Sequence, residues 1–483
     1  MLNRHLIAYL PVYLSQALVG FGSVAVFTRI LEPTEYGRYV LILAGASLAA
    51  TLAFTWLDAA VARHHARSDA RGHLEGHLWT AWRIYAVLAV IGAVLAASLL
   101  VLAPISMTLK TAIGFAVASV IIKSGLSVAL ETRRAAGEAW RYSLLESFTT
   151  AGGFGLGVVF IIAGGLGTAG PFAGMALAAA LALAFDGPVL FSKARRDRAD
   201  ARRTLAYFAY GAPVAVSLIF EHLLSVGDRF VIGAFLGEAA TGAYAAGYGV
   251  ADRSISIIFL WLGATTGPLL ISALEHQGRA AAQAVARRTG ALMVLIGFPA
   301  AAGLALVAEP AARLLIGPEI AMAAAGIIPF IALSGLLNGI MTHYFHEAFV
   351  LGRQPRVMAG VMLIAAVVNL GLNLILIPRL GILGAALSTV LAYGAAMIAC
   401  VIIGRRIFIM PIPVRDGLRA AAATVIMATA IFALPRFEPV LLDLVLRIGV
   451  GGVSYGLAAL ALNVAGCRSW LPSLRARTPE VDA

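Results

Sequence analysis

Leu236-Gly237-Glu238-Ala239-Ala240-Thr241-Gly242-Ala243-Tyr244 repeats the spacing of Leu31-Glu32-Pro33-Thr34-Glu35-Tyr36-Gly37-Arg38-Tyr39. Both stretches read Leu-x5-Gly-x-Tyr, at an offset of 205 residues. Two more pairs follow in the same order. Gly137-x3-Arg141 returns as Gly352-x3-Arg356 at an offset of 215, and Gly167-x2-Gly170 returns as Gly381-x2-Gly384 at 214. Three collinear matches between apolar segments argue for two copies of one helical bundle. Parallel repeats in an apolar chain are a mark of transporters, and they predict a substrate site between the copies.

The 483 residues are 61% hydrophobic and 12% charged, about half the charged share of a soluble domain. A soluble protein of this size could not cover so much apolar surface, so a bilayer must form part of its solvent. The net charge of +12 would suggest nucleic acid in a soluble protein. Here the charges sit in short loops between apolar runs, where they orient spans, and no nucleic-acid motif accompanies them. Cys400 and Cys467 lie in or beside apolar segments, which argues against a disulfide framework. Arginine outnumbers lysine 33 to 3, the bias of a GC-rich bacterial genome. The apolar run after Arg4 is longer than a signal-peptide core and lacks a small-residue cleavage site, so it reads as an uncleaved first span.

Each span needs about 20 apolar residues. Fourteen stretches qualify: 6–28, 38–60, 79–103, 109–131, 142–163, 170–191, 204–226, 240–264, 288–308, 322–349, 357–377, 382–404, 417–434 and 442–464. With the N-terminus inside and residues near a span's end counted with the adjoining loop, 26 of the 36 basic residues fall on the cytoplasmic side and 8 on the opposite side, while Lys123 and Arg253 fall well within spans. That asymmetry predicts cytoplasmic termini. The predicted divisions are a first six-helix bundle over 1–192, a basic cytoplasmic linker over 193–203, a second six-helix bundle over 204–404, and two additional helices with a tail over 405–483. The linker runs from Lys193 to Arg203 and would attract anionic lipid headgroups. The loop between the second and third spans is short, and the chain leaves no room for a soluble domain.

Pro11, Pro213, Pro268, Pro299 and Pro329 fall inside spans, where each removes a helix hydrogen bond. They are tolerated where a neighbour or a cavity satisfies the freed carbonyl. Gly153-x3-Gly157 reads as close helix packing.

Ionisable side chains within spans are costly unless paired or facing water. Arg253, mid-span after Asp252, suits an oxyanion because its planar fork binds phosphate through two donors. The competing reading is an ion pair with a carboxylate such as Glu221. Lys123 either lines a wet cavity or snorkels to the interface. Arg29 and the Asp228-Arg229 pair occupy equivalent outer ends of the first and seventh spans, as gate or as interfacial anchor. Asp252, Glu221, Asp228 and Arg229 are therefore the candidates for ion coupling or gating. His343, His346 and Glu347 cluster on the tenth span, as proton relay or as satisfied polar packing. His73-x3-His77 has ligand-like spacing, but two ligands make no metal site. The sequence carries no Gly-x4-Gly-Lys-Ser/Thr loop and no Asp-x-Asp nucleotide-sugar motif. No catalytic residue, metal or cofactor is expected, nor ATP-driven transport by this chain alone.

Residues 27–39, Phe27-Thr28-Arg29-Ile30-Leu31-Glu32-Pro33-Thr34-Glu35-Tyr36-Gly37-Arg38-Tyr39, resemble the opening stretch of bacterial polysaccharide flippases. These belong to the multidrug/oligosaccharidyl-lipid/polysaccharide exporter superfamily. Tyr210-Gly211-Ala212-Pro213, Asp228-Arg229-Phe230-Val231-Ile232-Gly233 and Gly242-Ala243-Tyr244 resemble the start of that family's second half. Gly352-Arg353 and Ile377-Pro378-x2-Gly381-x2-Gly384-Ala385-Ala386 resemble its later elements.

The resemblance implies an all-α integral membrane protein of about fourteen helices, with two six-helix bundles around a central cavity and two extra C-terminal helices. It implies a polyprenyl-diphosphate-linked oligosaccharide as cargo, flipped from the cytoplasmic to the periplasmic leaflet of the inner membrane for lipopolysaccharide or exopolysaccharide assembly. Family members carry cationic cavity residues, a role for which Arg253, Lys123 and Arg29 are the candidates. Expected partners are the lipid-linked substrate, membrane lipids, a polysaccharide polymerase and a chain-length regulator. Two rivals are a cation-coupled drug exporter and a lipid-linked peptidoglycan precursor flippase of the same superfamily. A membrane glycosyltransferase or polymerase fits least, because it would need a catalytic outer loop.

Overall fold

The computed structural model describes residues 2–192, Ala194 and 201–469, with all their side chains except those of residues 2–7, Ala201, Ser217, Glu221 and Pro355. Every regular element among the described residues is helical. Seventeen α-helices run in the order α1 Leu2–Ile30, α2 Pro33–Ala53, α3 Thr55–Ala70, α4 Leu74–Leu102, α5 Met107–Ala135, α6 Ala139–Ile162, α7 Gly170–Phe191, α8 Ala201–Leu236 and α9 Glu238–Gln277. They continue as α10 Arg279–Leu306, α11 Ala308–Leu315, α12 Pro318–Ile340, α13 Glu347–Leu351, α14 Pro355–Leu380, α15 Ile382–Gly404, α16 Val414–Phe432 and α17 Val440–Leu462.

All fourteen predicted spans fall on helix, and thirteen helical stretches are long and apolar enough to cross a membrane. The remaining predicted span is α16. Its first turns hold Arg415, Asp416 and Arg419, which leave only Ala420–Phe432 as an apolar run. The stretch expected as the loop between the second and third spans is instead mostly helix. α3 continues to Ala70 through Arg63, His64, His65 and Arg67, because nothing in that stretch breaks a helix before Gly72, which takes a left-handed φ of +70°. Outward apolar side chains such as Leu95, Leu99, Val101 and Leu102 on α4 are exposed, as lipid-facing residues are. The molecule is a multi-pass membrane protein.

Two compact units divide the chain, Met1–Ala245 and Ala246–Ala483, with the division inside α9. The predicted linker over 193–203 lies largely outside the described residues. In the first unit α7 packs on α5 and α6, α1 on α6, and α8 on α2 and α3. The α6–α7 contact depends on glycine. A Cβ on Gly174 would overlap the Gly157 nitrogen, and one on Gly157 would lie 3.0 Å from Pro171 Cα.

In the second unit α12 packs on α10 and α15, α14 on α15, and the C-terminal pair α16–α17 reaches the rest through α10 and α11. Pro299 lies inside α10 and cannot donate to the Leu295 carbonyl one turn earlier. The Tyr455 hydroxyl of α17 donates to that carbonyl at 2.6 Å. Val294, Leu295, Ala420, Ala459 and Val464 form the core beside it.

Candidate functional site

The two copies of the repeated stretch meet within the first unit. In the first copy, Glu32 caps α2 and forms a reciprocal capping box with Glu35, and Pro33 opens the helix. In the second, Gly237 takes a φ of +85° and Glu238 begins α9. The crossing of α2 on α9 is made by the motif glycines. A Cβ on Gly37 would overlap the Glu238 carbonyl, and one on Gly242 would lie 3.1 Å from both the Gly37 nitrogen and the Pro33 carbonyl. Arg38 Nε donates to Glu238 Oε2 at 2.6 Å across the same crossing. Gly37→Ala is expected to destabilise the protein by about 1–3 kcal/mol, the usual cost of overpacking, because backbone on both sides must yield. Thermal unfolding in detergent, compared with Gly45→Ala, where a Cβ meets only a distant ring atom, checks this.

The second-copy tyrosine explains the Asp228-Arg229 pair. Asp228 is enclosed; its Oδ2 accepts from the Tyr244 hydroxyl at 2.5 Å and its Oδ1 from Arg229 Nη1 at 3.1 Å. Arg229 also donates to the Ser225 carbonyl. The structure brings these two predicted residues together and ties both to the repeat. The other repeated glycines keep their turn geometry. Gly167 and Gly381 take φ of +46° and +64°. At the remaining pair, Gly137 is left-handed at +78°, whereas in the second copy Arg353, the residue after Gly352, takes that conformation at +54°.

In the first unit, Lys123 is exposed on α5, with no hydrogen-bond or ion-pair partner among the described residues. Arg29, at the end of α1, is exposed, and its Nη1 donates to the Ala25 carbonyl at 2.5 Å. In the second unit, Arg253 is half-buried, and Nη1 donates to the Gly249 carbonyl at 3.3 Å. It makes no ion pair among the described residues. Asp252 accepts from the Ser256 hydroxyl at 3.4 Å. Glu221 sits on α8, with its side chain outside the described residues.

A buried ion cluster in the first unit was not singled out from sequence. Asp186 on α7 is fully buried and accepts from two arginines. Arg133 Nε and Nη2 approach its two oxygens at 3.1 and 3.2 Å, and Arg141 Nε approaches Oδ1 at 2.7 Å. Arg133 Nη1 also donates to Glu138 Oε2 at 2.8 Å. Two signals pointed here: an aspartate inside an apolar span, and the repeated Gly-x3-Arg that includes Arg141. Among the described residues, the second copy has no such cluster. At the 214-residue offset, Asp186 corresponds to Cys400, which is buried beside Ala348 and Gly404, and Arg356 is exposed.

His73 and His77 are not brought together: His73 is exposed and His77 is buried. His77 instead shares a hydrogen bond with the Tyr207 hydroxyl of α8. His64 stacks on that tyrosine ring at 5.0 Å, and His65 meets His77 edge-on at 5.7 Å. Burial holds the imidazoles of His64 and His65 below their usual range, with Arg63 and Arg67 adding to the effect at His64. Among the described residues, no three His, Cys, Asp or Glu side chains converge as a metal site.

Over residues 26–324 the chain matches the family described as polysaccharide biosynthesis protein. Its fold is similar to that of the lipid II flippase MurJ in an inward closed conformation. The TM-score is 0.77 at 12% identity, covering 95% of this chain and 99% of that one. An inward-facing multidrug resistance MATE family transporter of the MOP superfamily gives a TM-score of 0.67 at 15% identity, covering 82% and 94%. A MOP superfamily transporter from Pyrococcus furiosus gives 0.57 at 16%, covering 83% and 93%. No curated protein matches the chain in sequence. The family match takes in both copies of the repeated stretch, and the chain belongs to the polysaccharide biosynthesis protein family, on the fold of MOP-superfamily transporters.

Proposed function

We propose that the protein flips a polyprenyl-diphosphate-linked oligosaccharide from the cytoplasmic to the periplasmic leaflet of the bacterial inner membrane, by alternating access, for cell-surface polysaccharide assembly. The observation that carries this reading is the family match over 26–324. The chemistry agrees with it. A diphosphate and its sugars cannot cross hydrocarbon, but they can cross a polar path while the lipid tail stays in the bilayer. Arg253, Lys123 and Arg29 are the oxyanion contacts in this reading. Asp252 and Glu221 are its coupling candidates, and Asp228 and Arg229 brace the outer end of α8. The protein is a carrier and performs no catalytic step.

The extent of the MurJ similarity, 95% of this chain against 82% for the multidrug transporter, supports a flippase over a drug exporter. It also favours a second reading, a lipid-linked peptidoglycan precursor as cargo. Cells lacking the protein are expected to accumulate lipid-linked oligosaccharide on the cytoplasmic leaflet while its synthesis continues. If extracts of such cells fail to assemble the lipid-linked sugar, the protein acts in synthesis instead. Accumulation of peptidoglycan precursor would favour the second reading.

Both termini are placed in the cytoplasm in this proposal, on the charge asymmetry. Reporter fusions after residues 68, 198 and 410 are expected to report cytoplasm, and fusions after 34 and 168 periplasm. A periplasmic signal from the fusion at 198 would reverse the orientation.

A further inference from the structure

Between α12 and α13, residues Met341–Phe345 form a single π turn. Turns of this kind are rare and recur at functional sites. This one lies within the apolar stretch Pro318–Leu351 and sets His343 and Glu347 against two glycines of α9. A Cβ on Gly263 would overlap His343 Nδ1, and one on Gly267 would lie 3.1 Å from Glu347 Oε1. Gly263 and Gly267 are about one helical turn apart, so imidazole and carboxyl follow each other along one glycine-lined groove.

Packing does not account for the polar atoms. Glu347 Oε2 and His346 Nε2 are buried without a hydrogen-bond partner among the described residues, and His346 is only 7% exposed. Among the described residues, no cation forms an ion pair with Glu347. α9 offers Gly263 and Gly267. α10 brings Gly290 against Tyr344 and Arg287 to within electrostatic reach of that hydroxyl, which is itself bound to the Pro411 carbonyl at 2.5 Å. α15 contributes Cys400, and Arg405 follows at its end; both line a space with Phe345 and Ala348, and Arg405 is exposed. Arg353 and Arg356, beyond α13, are exposed.

A bare carboxylate in a bilayer span is strongly disfavoured, and a proton removes that charge. An imidazole one turn away can take or deliver such a proton. We propose that His343 and Glu347 form a proton-carrying site in the second unit, loaded and emptied once per transport cycle. The cycle rests on the flippase reading; the site itself does not.

Two measurements on the full-length protein test this. The first is modification by dicyclohexylcarbodiimide, which attacks protonated carboxyls in apolar surroundings, read by mass spectrometry. Glu347 is expected to form an adduct whose yield falls as pH rises, with the profile displaced in His343→Gln. No adduct at Glu347, or a yield indifferent to pH and to His343, overturns the proposal. The second uses vesicles holding a polyprenyl-diphosphate disaccharide under an imposed pH gradient. The gradient is expected to accelerate flipping by the wild type, whereas Glu347→Gln and His343→Gln, inserted at normal abundance, should keep only the gradient-free rate. Full acceleration in Glu347→Gln, or a wild type that flips without responding to the gradient, overturns the proposal. A wild type that moves no probe counts against the flippase reading, and the adduct then decides the proton site alone.

Discussion

Asp186→Ala is expected to leave little folded protein in the membrane. The aspartate is fully buried and neutralises Arg133, whose side chain is only 3% exposed. Removing the aspartate leaves Arg133 with Glu138 alone, and breaking a buried ion pair typically costs about 3–5 kcal/mol. Arg141, whose side chain is 39% exposed, can turn to solvent, so most of the cost falls through Arg133. The paired substitution Asp186→Leu with Arg133→Met removes both charges and is expected to recover most of the lost abundance, since apolar replacement of a buried pair is often neutral or stabilising. The second repeat supports this expectation, because the buried Cys400 stands at the corresponding place. Abundance of the single and paired variants in membranes is the readout. Equal loss in both would show that the cluster does more than neutralise itself.

Arg253→Ala should behave in the opposite way, with normal abundance and transport close to zero. The guanidinium makes no ion pair among the described residues and donates only to its own helix, at Gly249, so its removal strands no described carboxylate. A cation in a membrane helix without a partner is kept for a ligand or a wet surface. Arg253→Lys should also transport poorly, because a point charge replaces a two-donor fork. Abundance and transport are to be measured side by side for Arg253→Ala, Glu221→Gln and the double variant. Recovery of both in the double variant would mean that Arg253 serves a structural pair, and Lys123 would become the leading phosphate contact.

Much of the fold was legible because bilayer thickness dictates it. Runs of about 20 apolar residues have few alternatives to a helix, and all fourteen fall on helix. The repeated stretch was legible for a different reason. Gly37 and Gly242 sit where backbone meets backbone, a demand that only glycine meets, so two equivalent crossings leave the same letters. Other features left no local trace. Arg133 reads as one more loop charge, and its partner Asp186 lies 53 residues away. Tyr244 shows in the motif, but its bond to Asp228 depends on how α8 and α9 pack. The π turn at Met341–Phe345 is a change of hydrogen-bond register without a compositional signature. His343 and Glu347 were visible as a cluster, but whether they were satisfied could be read only from the groove of α9.

The central claim is that this member of the polysaccharide biosynthesis protein family moves a lipid-linked glycan between leaflets. The most direct measurement is flipping by the purified protein in vesicles, using a polyprenyl-diphosphate oligosaccharide whose sugar is read by an impermeant enzyme outside. Sugar from the inner leaflet should become accessible at a rate proportional to the protein present, and Arg253→Ala at equal abundance should abolish it. An inner-leaflet pool that stays inaccessible with wild-type protein, while the same vesicles transport a cationic drug, would contradict the account.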